Sequence, residues 1–246
     1  MTEMLATAQQ MRAVSTLPIL ADVDSGFGDC NVLQRAVRMY EAAGIDAIVI
    51  EDKQGPKRNS FRDGNQLEDP SVFAAKLQAA KAAQAASDFL VVARLESLIA
   101  GASLADALSR AERYHDAGAD ALLVHSRSSG PEEVAEFCTR WQETGRKLPL
   151  FAIPTTYHRV PAVELWAMGI RGVIYANQMI RASTRAWQDF LAVLSEYGSS
   201  SPAEDSMVSL AELFELVETE RLIGDTPWQG LAGPAPAPVR SLRRSG

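Results

Sequence analysis

The chain has 246 residues, 47% of them hydrophobic and 22% charged, with a formal net charge of −7 at pH 7; that balance suits one large soluble α/β domain. The acidic charge and the lack of a basic stripe with interleaved aromatics argue against a nucleic-acid partner. Two cysteines, Cys30 and Cys138, leave no disulfide framework, and no stretch has the apolar length of a membrane span or the pattern of a signal peptide, so the cytoplasm is the expected compartment.

In chain order, "TEMLATAQQMRAV" (2–14) reads as a helix. Six apolar runs follow: "PILADVD" (18–24), "DAIVIED" (46–52), "FLVVARLE" (89–96), "ALLVHS" (121–126), "LPLFAIPT" (148–155) and "GVIYAN" (172–177). The segments between them carry apolar residues at helical spacing, as in "LADALSRAERYHDAG" and "PEEVAEFCTRWQETG". Gly44, Gly118 and Gly169 each stand where a helix ends just before a strand, and glycine accepts the left-handed cap there without steric cost. Strands alternating with helices predict a parallel sheet covered on both faces. Residues 178–197 read as one long helix, and "SMVSLAELFELVETERLI" (206–223) as another, capped by Ser206 or Ser209. "GLAGPAPAPVRSLRRSG" (230–246) has little to bury and reads as a flexible tail. The division expected is a barrel domain at 1–199, a helical extension at 200–229 and the tail at 230–246.

Each apolar run turns polar at its C-terminal end: Asp22 and Asp24, Glu51 and Asp52, Arg94 and Glu96, His125 and Ser126, Thr155, Asn177. In a parallel barrel these ends share one rim, where active sites are built. Six such ends point to a site, although any one alone would mark only where solvent begins. Asp22, Asp24 and Glu51 form a carboxylate cluster that repels itself unless a cation sits among them, and hard oxygen donors suit Mg²⁺. Arg94 is a fork-shaped binder of carboxylate or phosphate oxygens. His125 faces the same rim; taken alone it reads better as a partly buried core histidine, and its place at a strand end beside Ser126 and Arg127 makes the functional reading its equal. A small substrate with two anionic ends would fit. "EDKQGPKRNS" (51–60) follows a buried strand with three cations, two carboxylates, Gly55 and Pro56. It is either a solvated turn or a mobile loop over a site that handles charge. Nucleophile signatures are missing: there is no G-x-S-x-G elbow and no phosphate-binding P-loop. Cys138 lies on a helix and reads as packing.

"DVDSGFGD", "EDKQGPKRNS", "VARLES", "VHSR", "PTTYHR" and "YANQMIRAS", in this order, resemble the phosphoenolpyruvate mutase branch of the isocitrate lyase superfamily, from about residue 12 to residue 223. Lyases of that superfamily carry a cysteine in the loop, and this loop has none. The resemblance implies a modified (β/α)₈ barrel of the TIM type, with a terminal helix swapped between subunits of a homodimer or homotetramer. It implies Mg²⁺ bound through Asp22, with Asp24 and Glu51 acting through waters. Arg94 and His125 would hold a phosphoryl group, with Lys57, Asn59 and Ser60 on a gating loop. The implied reaction interconverts phosphoenolpyruvate and phosphonopyruvate, as in phosphonate biosynthesis. Family mutases usually have an aromatic where Gly55 stands. The rival within the branch is phosphonopyruvate hydrolase, which usually has Thr where Asn59 stands, and a third reading is a truncated, non-catalytic barrel. Eight strands complete such a barrel and six are legible, so two upstream strands are expected to be lacking and Met1 is expected not to be the native start.

Overall fold

The computed structural model describes residues 1–219. Two compact units divide it, Met1–Arg181 and the residues from Ala182 onward. The first opens with α1 (Thr2–Val14), followed by β1 (Leu20–Asp22), α2 (Cys30–Ala42), β2 (Ala47–Glu51), α3 (Pro70–Ala83), β3 (Leu90–Leu95), α4 (Leu104–Asp116), β4 (Ala121–Val124), α5 (Glu132–Glu143), β5 (Leu150–Ala152), α6 (Ala162–Met168) and β6 (Ile170–Val173). α7 (Gln178–Tyr197) crosses the division. A 3₁₀ turn (Ser201–Ser206) and α8 (Leu210–Leu216) belong to the second unit.

Every strand pairs parallel with the next in chain order, giving an open six-stranded sheet, a half-barrel. Right-handed βα units lay the strands down sequentially because each crossover helix packs back onto the strand it left. The expected helices at 2–14 and 178–197 appear at those bounds. Gly44, Gly118 and Gly169 do have positive φ, of 74°, 95° and 113°. The strands are shorter than the apolar runs, and the sixth is displaced: β6 begins at Ile170, directly after the Gly169 cap, and ends at Val173. Residues 174–177, expected as strand, belong to the rim loop. Within the expected helix at 206–223 the described residues form α8, opened by Ser209 in a reciprocal capping box with Glu212; residues 220–223 and the tail lie outside the described residues.

Alternation along the strands divides the apolar residues into two layers. Ile48, Ile50, Val91, Ala93, Leu95, Leu122 and Val124 join the large core between sheet and helices. Val49, Val92, Leu123 and Ile153 form a smaller cluster on the other face, flanked by Leu20, Phe151 and Ile174. This inner layer is tight at one point. β5 and β6 shift register beside Phe151, which pairs with Gly172, and a Cβ on Gly172 would lie 2.1 Å from the Phe151 ring. Gly172→Ala is therefore expected to overpack the layer at a cost of about 1–3 kcal/mol. Chemical denaturation of the two proteins would measure it, and an unchanged midpoint would show that the Phe151 ring gives way freely.

Candidate active site

The same alternation selects which rim residues meet. Counting on from Leu20, Val49, Val92 and Leu123, the inner face receives Asp22, Glu51, Arg94, Glu96 and His125. The opposite parity sends Asp52 toward the helices. There its carboxylate accepts from the Glu96 amide (2.8 Å), the Tyr114 hydroxyl (2.7 Å) and Arg110 (3.3 Å). Burial pushes the Asp52 carboxyl up to about 6, against the pull of these donors. Asp52 thus ties the end of β3 to α4 and does not face the site.

Glu96 is wholly buried and joins the site together. Its Oε1 accepts from Arg94 Nε (2.6 Å) and meets His125 Nδ1 (2.7 Å). Its Oε2 accepts from Ser60 Oγ (2.7 Å) and lies 3.3 Å from the Lys53 ammonium. Burial opposes the charge on Glu96, but the His125 hydrogen bond, Arg94 and Lys53 outweigh it and hold the carboxyl well below its usual range. Burial depresses His125, against the pull of Glu96.

Glu51 has the opposite fate. It is equally buried, Arg94 lies 3.7 Å and Lys53 3.4 Å away, and Oε2 has no hydrogen-bond partner among the described residues. Burial pushes its carboxyl up to about 7, and the two cations only partly offset this. Asp22 ends β1, and Asp24 lies past the strand in a left-handed turn, φ 53°. The two are brought together not by strand parity, as their spacing suggests, but by a turn in which the Asp24 amide donates to Asp22 Oδ1 (2.9 Å). The Lys57 ammonium bonds Asp24 and lies 3.9 Å from Asp22, and Arg94 Nη1 is 3.4 Å from Asp22. Among the described residues no three acidic, imidazole or thiol side chains are gathered closely enough to hold a metal ion. The donor chemistry nevertheless fits a hard cation: Asp22, Asp24 and Glu51 offer only carboxylate oxygens, and one of Glu51 is a buried acceptor without a donor.

The loop after β2 closes on itself. Lys53 bridges Leu67, and the Gln54 amide donates to the Gln66 carbonyl (2.9 Å). Lys57 and Asn59 lie on its exposed span. Ser60, expected to travel with them, is at the buried root, where its hydroxyl also accepts from Lys53 Nζ (2.9 Å) and Arg94 Nη2 (3.1 Å). The Phe61 ring stands edge-on to His125, centroids 5.7 Å apart. Between loop and rim lies a cavity of about 280 Å³, lined by Lys57, Asn59, Ser60, Arg94 and His125, and by Thr155 and Asn177 from the loops that follow β5 and β6. Arg94, His125, Asn59 and Ser60 therefore share one space, while Asp22, Asp24 and Glu51 adjoin it through Arg94 and Lys57. Sequence reasoning noticed Glu96 and Lys53 but assigned them no part. The signal for Glu96 was its place two residues after Arg94 on the same face; for Lys53, a lysine directly after a buried strand.

A parallel α/β half-barrel with cations and carboxylates interlocked on its C-terminal rim defines the class, and relatives narrow it. The family described as phosphoenolpyruvate phosphomutase matches residues 1–194, and the chain belongs to it. It is similar to the phosphonopyruvate hydrolase of Variovorax sp. strain Pal2, with 40% identity over 220 residues, spanning 87% of this chain and 75% of that protein. Among solved structures it is similar to a phosphoenolpyruvate phosphomutase from Streptomyces platensis subsp. rosaceus, with TM-score 0.87 and 40% identity over 90% of this chain and 77% of that one. It is also similar to a phosphonopyruvate hydrolase solved in complex with oxalate and Mg²⁺, with TM-score 0.83 and 36% identity over 91% and 76% of the two chains.

The raised Glu51 carboxyl sets a stability test. In the unfolded chain a glutamate ionises near 4.5, and in the folded protein near 7. Between those values the folded state holds the extra proton, so ionising Glu51 costs stability as pH rises through that window. Glu51→Gln should match the parent near pH 4.5 and become more stable than it by pH 8, by on the order of 2 kcal/mol. Denaturation in the presence of a chelator at both pH values measures this, and a difference independent of pH would contradict the burial argument.

Proposed function

We propose that this protein interconverts phosphoenolpyruvate and phosphonopyruvate with the help of Mg²⁺. The observation that carries the reading is the cavity itself: Arg94 and His125 line its floor, a loop with no cysteine covers it, and carboxylates lie alongside. Superfamily carbon–carbon lyases, by the resemblance drawn above, use a loop cysteine.

Asp22, Asp24 and Glu51 would hold the metal, Asp22 most directly, since its carboxylate is the more exposed of the strand-end acids. A bound Mg²⁺ would supply positive charge to chelating oxygens of the pyruvate part. Arg94 and His125 hold the phosphoryl group, and a loose transition state asks for position from both, and for charge from Arg94, more than for covalent help. Phosphorus leaves the enol oxygen and bonds the carbon; one P–O bond breaks, one C–P bond forms, and no other reactant enters. Lys57 and Asn59 lie on the span that shuts water out during the transfer. Lys57 must release Asp22 and Asp24 when the metal binds.

Hydrolysis of phosphonopyruvate is the second reading, favoured by the likeness to the Variovorax hydrolase. Asn59 favours the mutase. Phosphorus NMR of phosphonopyruvate with Mg²⁺ and the protein separates the two: phosphoenolpyruvate signals the mutase and free phosphate the hydrolase, and an unchanged spectrum overturns both. Asp22→Ala should lose nearly all turnover and remain folded, because a rim carboxylate adds little to the core. Asn59→Ala should slow the rearrangement and shift the remainder toward phosphate.

A homodimer or homotetramer joined through the C-terminal helices is proposed as well. In the second unit Trp187 and Leu191, one turn apart on α7, and Leu213 and Phe214 of α8 are exposed, and large apolar side chains left in the open in this way suit contact with another chain. Light scattering of the protein and of Trp187→Asp measures it; a monomeric parent would refute the proposal, and the variant should dissociate.

A further inference from the structure

We propose that Glu96 is the positioning residue of this site: it holds His125 as the neutral Nδ1–H tautomer and so turns a bare Nε2 toward the cavity. Two groups lie against His125 Nδ1, the Glu96 carboxylate at 2.7 Å and Arg94 Nη2 at 3.0 Å. They make opposite demands. An arginine can only donate, which would require a lone pair on Nδ1; an ionised carboxylate can only accept, which requires a hydrogen there. The shorter contact belongs to Glu96. Arg94 Nη2 has another acceptor in Ser60 Oγ, at 3.1 Å, whereas among the described residues His125 Nδ1 has no acceptor but Glu96. Glu96 in turn is kept ionised by three hydrogen bonds, from Arg94, His125 and Ser60, and by the Lys53 ammonium 3.3 Å away. The hydrogen therefore resides on Nδ1.

The consequence falls on the other nitrogen. His125 lines the cavity and its Nε2 is a buried atom with no hydrogen-bond partner among the described residues, in a buried residue. With Nδ1 protonated and the ring neutral, Nε2 is an acceptor. Whatever reaches it must bring a hydrogen: a P–OH, or a water held beside the phosphoryl group. Arg94 supplies donors from the neighbouring strand, so the two side chains present unlike faces to one group. This deepens the proposed function and rests on it for the identity of that group. The tautomer itself does not rest on it.

Nitrogen-15 NMR of the ligand-free protein, labelled at its three histidines and assigned with His125→Asn, reads the tautomer directly. The expected spectrum shows His125 with Nδ1 protonated and Nε2 bare. A proton on Nε2, alone or together with Nδ1, would overturn the proposal. Glu96→Leu removes the acceptor and should release the ring to a mixture of tautomers, while Glu96→Gln, whose amide oxygen still accepts, should restore the parent signature. A tautomer unchanged in Glu96→Leu would also overturn it; if that variant does not fold, the parent spectrum still decides. Turnover of phosphonopyruvate should fall about 10–100-fold in Glu96→Leu, the loss typical when a partner that orients a histidine is removed, and recover in part in Glu96→Gln. If the parent protein does not act on phosphonopyruvate, the proposed function fails while the NMR result stands by itself.

Discussion

The site depends on one buried carboxylate. Glu96 lies at the end of β3 with no exposure to solvent, and an ion there survives only if donors replace the water it has lost. Three hydrogen bonds, from Arg94, His125 and Ser60, and the Lys53 ammonium 3.3 Å away take its place. Because every partner is needed to keep the charge, every partner is held in place by it. Breaking such a network by removing one member typically costs about 3–5 kcal/mol, since the remaining charge is left uncompensated. Arg94, His125, Lys53 and Ser60 are therefore not four independent side chains that converge on a cavity; they are one rigid floor.

The neighbouring Glu51 shows what the same depth does without that compensation. It is as buried as Glu96, yet the cations near it stand at 3.4 Å and 3.7 Å and one oxygen has no hydrogen-bond donor. Desolvation wins, and the carboxyl rises to about 7. Two glutamates on adjacent strands, facing the same way, are thus shifted in opposite directions. Glu96 has its donors built in. Glu51 retains an unmet demand for positive charge, next to the half-exposed Asp22 whose cations come from Arg94 and the loop. This contrast separates the part of the rim that is fixed from the part suited to receive a cation.

The loop has the same division. Its root is pinned, by the Lys53 bridge to Leu67 and by the Ser60 hydroxyl within the floor network. Its span carries Lys57 and Asn59 in the open, with Lys57 reaching back to Asp24. A loop anchored at its base and held at its tip by an exposed ion pair, which water screens, can exchange that tip contact at little cost without disturbing the floor. Asp52, on the outer face of the sheet, adds stiffness from behind by fastening the Glu96 amide to Tyr114 and Arg110 of α4.

Much of this was legible in the sequence. Periodicity and glycine punctuation marked the βα repeat, the six strands in order, and the helices at 2–14 and 178–197. Polar residues at the strand ends marked the rim, and period-two counting from Val49, Val92 and Leu123 places Glu51, Arg94, Glu96 and His125 on one face. These are local properties of an alternating backbone, so the order of residues carries them. Where β6 starts was not legible, because "IRGVIYAN" is apolar throughout and only pairing with β5 decides which part of it joins the sheet. The partition of charge was not legible either. Nothing in the order of residues distinguishes Glu96, with its charge met, from Glu51, with its charge unmet, or shows that Asp52 turns its back on the site and that Ser60 is buried while Asn59 is not. Those outcomes depend on distances between side chains 29 to 44 positions apart in the chain, and only the folded sheet brings such groups within hydrogen-bonding reach and removes the water that would otherwise make them alike.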